Sequence, residues 1–136
     1  MNTRIATMAV AAAAVLVASA AVVAHAAPED AHRCVWSFEP SGPIVVAGAA
    51  VVGGYAQCNP APEAFALRLR LFARSGSGWV LRDEATTTTI PNPWANLAVR
   101  DLDCVSGGYR AEYDMAETAG GYTRQENGAT TGFVSC

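Results

Sequence analysis

Four cysteines, Cys34, Cys58, Cys104 and Cys136, constrain this chain more than any other feature of its 136 residues. Their number is even and they are widely separated in sequence. Structural zinc sites recruit cysteines as closely spaced C-x₂₋₄-C pairs, and none is present. In an exported chain of this size the pattern reads as two disulfides, with no metal and no cofactor expected.

Export is written at the N-terminus. Met1-Asn2-Thr3-Arg4 supplies a short positive region, an apolar run made almost wholly of alanine and valine follows, and Ala24-His25-Ala26 is a small-x-small cleavage triplet. These are the three parts of a secretory signal. The run approaches the roughly 20 residues of a membrane span. Alanine is only weakly apolar, however, and the cut site follows at once. Residues 1–26 are therefore read as a signal peptide, 27–33 as a flexible lead-in and 34–136 as one disulfide-closed domain. There is no twin-arginine pair, and Ala31-His32-Arg33 before Cys34 is not a lipid-attachment box. The expected location is extracellular or cell-envelope associated, with no membrane contact after cleavage.

From Ala27 onward the chain carries eight arginines, no lysine and twelve acidic residues, a formal net charge of −4. Nucleic acids and anionic membranes recruit clustered positive charge, so both are excluded as expected partners.

Almost every apolar stretch of the domain alternates with period two, which predicts strands and no helix. Cys34, Trp36 and Phe38 share one face of a first strand. Ile44 to Cys58 reads as a second segment, with a bulge or close backbone approach at Gly53-Gly54. Phe65, Leu67, Leu69 and Leu71 point one way while Ala66, Arg68 and Arg70 point the other, the mark of a half-buried strand. Ser75-Gly76-Ser77-Gly78 predicts a hairpin into Trp79. Thr86 to Thr89 reads as an edge strand. Leu97 and Val99 mark another strand, and Tyr109, Ala111, Tyr113 and Met115 the next. Ala119 to Tyr122 is expected as a loop, with Asn127-Gly128 as a turn before a last strand from Thr130 to Cys136. About seven short strands with Gly, Pro and Asn punctuation predict an all-β antiparallel sandwich or barrel. Trp36 and Trp79 are assigned to core or hairpin packing.

Leu97-x-Val99-x-x-Leu102 followed by Gly107-x-Tyr109-x-Ala111 resembles the E-to-F corner of immunoglobulin-like domains. There a tyrosine near the start of strand F hydrogen-bonds back across the corner, two residues before a core cysteine. Tyr109 matches that tyrosine, whereas Ala111 stands where the cysteine would be. The resemblance implies an immunoglobulin-like sandwich and no particular ligand. The chain is also similar to small exported proteins of high-GC bacteria without assigned activity, in keeping with its alanine- and arginine-rich, lysine-free mature part.

Strand direction predicts the disulfide pairing. Cys34 opens the first strand and Cys58 closes the second, so both lie at one end of the domain. Cys104 and Cys136 then lie at the other end. Cross-pairing would exceed the ~7 Å limit between Cα atoms, so 34–58 and 104–136 are expected.

For catalysis the sequence offers little. His32 is the single histidine after the signal, and it lies in the lead-in, so a Ser-His-acid or Cys-His set is excluded. Asp101 and Asp103 share a face if their strand continues through them, and Glu112 and Asp114 do the same on the neighbouring strand. Convergent carboxylates there would suit a calcium site or a glycosidase. Solvated strand faces account for them more simply. Trp94, in Pro91-Asn92-Pro93-Trp94, presents an aromatic anchor or else folds back as a core plug. Tyr122 and Arg124 sit beside a glycine-rich loop. Trp, Tyr and Arg are the types enriched at interface hot spots, so these three are the candidate binding residues. The expectation is a non-enzymatic binding module for an extracellular protein or cell-envelope target. The alternative is an inhibitor of an extracellular hydrolase, presenting the proline-braced loop.

Overall fold

A computed structural model describes residues 34–136. The expected signal peptide and lead-in, with His32, lie outside the described residues. Eight strands follow one another: β1 (Cys34–Phe38), β2 (Ile44–Val46), β3 (Ala49–Cys58), β4 (Ala64–Ser75), β5 (Gly78–Thr87), β6 (Trp94–Asp101), β7 (Gly107–Ala119) and β8 (Tyr122–Val134). Every pairing is antiparallel. In the first sheet β3 pairs with β1 and β2 along one edge and with β6 along the other; the second sheet runs β5-β4-β7-β8.

The alternation of the sequence decides which side of each strand is covered. Phe65, Leu67, Leu69 and Leu71 of β4 are buried, as are Tyr109, Ala111 and Met115 of β7. They share one core with Trp36, Ala50, Val52, Ala56 and Val99 of the first sheet. Trp36, Phe38 and Tyr113 add an aromatic cluster, with ring centroids 5.7–5.8 Å apart. Such pairs contribute about 0.5–1.5 kcal/mol beyond their buried area.

Both disulfides pair as the strand directions predict, Cys34 with Cys58 and Cys104 with Cys136. Cys34 and Cys58 lie directly opposite across β1 and β3. Cys104 lies in the β6–β7 connection and Cys136 beyond β8, at the other end of the sandwich.

The structure differs from expectation in two places, the segment 44–58 and the start of β8. The segment 44–58 is two strands, not one, because the chain reverses at Ala47-Gly48, both with positive φ. An unbroken Val/Ala run conceals that reversal, since both arms are apolar. Gly53-Gly54 makes no bulge: β3 holds continuous register with β6 from Ala50 to Gln57. Of the two readings of that pair the close approach holds: a Cβ at Gly54 would run into the Ser37 carbonyl and the Trp36 ring. The bulge falls at Leu71/Phe72, between β4 and β5. Finally, β8 begins at Tyr122 and runs straight through Asn127-Gly128. The reversal before it is Gly120-Gly121, with φ of 59° and 79°, a two-residue turn whose twist matches its flanking strands. Gly128 lies opposite Tyr113, whose ring fills the space a Cβ would take.

Candidate binding face

The acidic residues singled out in the sequence do not converge. Strand β6 ends at Asp101, so Asp103 lies beyond it and shares no strand face with it. Asp101 is not solvated either; only 4% of it is exposed. Its carboxylate accepts two hydrogen bonds from Arg82, at 2.8 and 3.1 Å, one from the Tyr109 hydroxyl at 2.8 Å and one from the Asp103 amide at 3.1 Å. Burial pushes the Asp101 carboxyl up, but the Arg82 and Tyr109 hydrogen bonds and the Arg82 charge outweigh it and hold it below the usual range. Burial, then Asp101, raises Tyr109, against the Val105 amide that donates to its oxygen.

Glu112 and Asp114 lie on the outer face of the second sheet. Arg70 bridges them at 3.1 and 2.9 Å, Arg68 reaches Asp114 at 3.0 Å and Arg110 reaches Glu112 at 2.8 Å. Three arginines here share two carboxylates, and such partly exposed pairs contribute only about 0–1 kcal/mol each. Beside it runs a groove of about 400 Å³ floored by Ala66 and Ala116 and edged by Thr86, Thr88, Gln125 and Asn127. Thr86 and Thr87 do lie on an edge strand, β5.

The outer face of the first sheet is chemically different. Residues alternating with the buried set point outward: Val35 and Ser37 on β1, Ile44 and Val46 on β2, Val51, Tyr55 and Gln57 on β3, and Trp94, Asn96, Ala98 and Arg100 on β6. Arg100 is the single charge among them. Val35, Ile44, Val46 and Trp94 are all exposed, so one sheet presents an almost uncharged surface to solvent.

Trp94 is the outstanding residue of that surface. It is 52% exposed, and its ring centroid lies 5.0 Å from that of Tyr55, the planes inclined at 48°. The core-plug alternative is overturned: Pro91 is the fully buried member of the loop. The Cys58 amide donates to the Pro93 carbonyl at 2.9 Å, fixing the point where β6 begins. Prolines and a strand ladder thus hold Trp94 outward on rigid backbone.

Tyr122 and Arg124 are placed elsewhere. Tyr122, 36% exposed, opens β8 beside the Gly120-Gly121 turn. Arg124 is engaged with Glu126 at 2.6 Å and with Glu117 at 3.5 Å. Strand β8 lies at the edge of the second sheet and Trp94 on β6 of the first, so the three candidates do not form one cluster.

Sequence reasoning missed three residues. Tyr55 was hidden in the Val/Ala/Gly run, and its diagonal position to Trp94 follows only from the β3–β6 register, in which Gln57 faces Trp94 and Tyr55 faces Asn96. Glu117, only 3% exposed, accepts the Cys34 amide at 2.9 Å and so anchors β1; alternation with Met115 puts it inward. Arg82 carried no signal at all. Tyr113, recognised only as core, donates to Glu126 at 2.8 Å; burial foremost, then that hydrogen bond and charge, push its hydroxyl up to about 12.

Neither a protein-family model nor a curated protein matches this chain. Among the described residues no helix is long and apolar enough to cross a membrane.

Proposed function

We propose that this protein is an exported, non-enzymatic binding module with an immunoglobulin-like sandwich fold, acting on an extracellular protein or cell-envelope target. The observation that carries the reading is Trp94, half-exposed on rigid backbone and propped against Tyr55 in a sheet face poor in charge. Ordered aromatic side chains give large contact area for little lost entropy, which is why they anchor interfaces. Two disulfides suit an oxidising compartment. Arg82 and Tyr109 occupy the Asp101 carboxylate, which supports binding over acid–base chemistry. The Tyr109 hydroxyl linked to the Val105 amide four residues upstream supports the immunoglobulin-like assignment.

The test is affinity capture from culture supernatant and envelope extract, with oxidised protein and its Trp94→Ala and Tyr122→Ala variants as baits. The reading expects a component retained by the natural protein and lost with Trp94→Ala. Identical retention by all three baits, or none by any, would remove it.

A further inference from the structure

Resting on that reading, we infer that the Trp94 face is a glycan site and that its ligand is a neutral, unbranched polysaccharide segment. Trp94 and Tyr55 form an aromatic platform, and their immediate neighbours are neither charged nor aliphatic throughout. Gln57 lies directly opposite Trp94, and Asn96 directly opposite Tyr55, with Ser37 on the far side of Tyr55. Opposed side chains in a ladder have Cβ atoms about 4.5–5.5 Å apart, so two amides and a hydroxyl rim the rings. The next row is Gly53 and Ala98, with exposed Glu39 beside Gly53, so small residues continue the surface beyond Tyr55.

Each feature matches one property of a pyranose. Its axial C–H bonds carry partial positive charge on one face and settle on the electron-rich face of an indole. Its equatorial hydroxyls both donate and accept, as do carboxamides and a serine hydroxyl. A neutral sugar needs no counter-charge, and charge complementarity selects it over an anionic polymer: the nearest outward charges are exposed Glu39, whose amide donates to the Gly53 carbonyl two residues from Tyr55, and Arg100, opposite Val51 and four residues from Tyr55. An anionic polymer would find better partners among arginines, and those on the second sheet are engaged with carboxylates. The open strand ladder has no wall to close around a chain end, so internal segments of a polymer fit.

The oxidised protein is electrophoresed in native gels containing a soluble β-1,3-glucan, a β-1,4-glucan, an α-1,4-glucan, an α-mannan or, as anionic control, polygalacturonate. At least one neutral polymer retards the natural protein and polygalacturonate does not. Trp94→Ala and Tyr55→Ala abolish the retardation, Gln57→Ala and Asn96→Ala weaken it at least three-fold, and Arg68→Ala on the other sheet leaves it unchanged. No retardation by any neutral polymer, or retardation that survives Trp94→Ala, overturns the inference. Capture from envelope extract separates this failure from failure of the binding reading. Trp94-dependent retention that periodate treatment of the extract removes and protease does not supports the glycan. Trp94-dependent retention removed by protease alone overturns the glycan and leaves the module standing. Retention indifferent to Trp94 overturns both.

Discussion

Tyr109 donates its phenolic hydrogen to the Asp101 carboxylate across 2.8 Å, with both residues shielded from solvent. The same hydroxyl accepts the Val105 amide at 3.1 Å, and the same carboxylate accepts Arg82 and the Asp103 amide. One hydroxyl and one carboxylate thereby fix the β6–β7 connection from inside the sandwich. Removing the hydroxyl leaves a part-buried amide and a buried carboxylate each one partner short. Tyr109→Phe is expected to cost about 1–3 kcal/mol, read from urea unfolding at neutral pH. A cost within error would show the network to be incidental.

Acid should expose the same network. The Asp101 carboxyl is held below its unfolded value, which is near 3.9. Its contribution to stability is therefore present above that value and lost as pH falls through the folded one. Melting temperatures between pH 7 and pH 2 should fall more steeply for the natural protein than for Asp101→Asn. Parallel curves would contradict the assignment.

Tyr113 gives the alkaline counterpart. Its folded hydroxyl is pushed up to about 12, against roughly 10 in an unfolded chain. The difference stabilises the fold fully below pH 10 and is lost as pH rises toward 12. Absorbance at 295 nm should show late titration by two tyrosines, Tyr109 and Tyr113, reduced by one tyrosine's amplitude in Tyr113→Phe. A natural profile identical to that of the variant, scaled for tyrosine number, would refute it.

The disulfides close loops with sequence separations of 24 and 32. In the chain-entropy model each removes roughly 3–4 kcal/mol of denatured-state freedom, against a typical net stability of about 5–15 kcal/mol. The reduced protein should be marginal or unfolded at 25 °C by circular dichroism. A reduced form that melts within a few degrees of the oxidised one would show that the core alone suffices.

Gly54 tests the close approach of β1 to β3. A methyl group there would meet backbone at Ser37 as well as the Trp36 ring, and backbone paired in a ladder yields little. Gly54→Ala should cost about 3 kcal/mol, whereas Gly76→Ala, in open space at a positive-φ turn, should cost about 1 kcal/mol. Equal costs would mean that β1 shifts freely.

What the sequence disclosed follows from which signals are local. Alternation along Phe65–Leu71 and Tyr109–Met115 disclosed the buried faces, because period two is a property of each strand alone. Strand direction disclosed the cysteine pairing, because three strands, β4 to β6, separate Cys58 from Cys104 and carry the chain to the other end. The Ala47-Gly48 reversal was not legible, since apolar residues flank it on both sides and Ala47 is an unusual residue at positive φ. Asn127-Gly128 carried turn chemistry, yet its glycine serves to seat Tyr113. Trp94 was legible as a residue type. Its partner Tyr55 was not, because their 5.0 Å approach depends on a register between strands nearly forty residues apart.

The central claim, that the first sheet's outer face is the binding surface, is tested most directly by hydroxyl-radical footprinting. The oxidised protein is labelled alone and with envelope extract, and side-chain oxidation is measured residue by residue. The account predicts that oxidation of Trp94 and Tyr55 falls several-fold in the extract while that of Trp79 on β5 is unchanged. Protection confined to the second sheet, or none at Trp94, would contradict it.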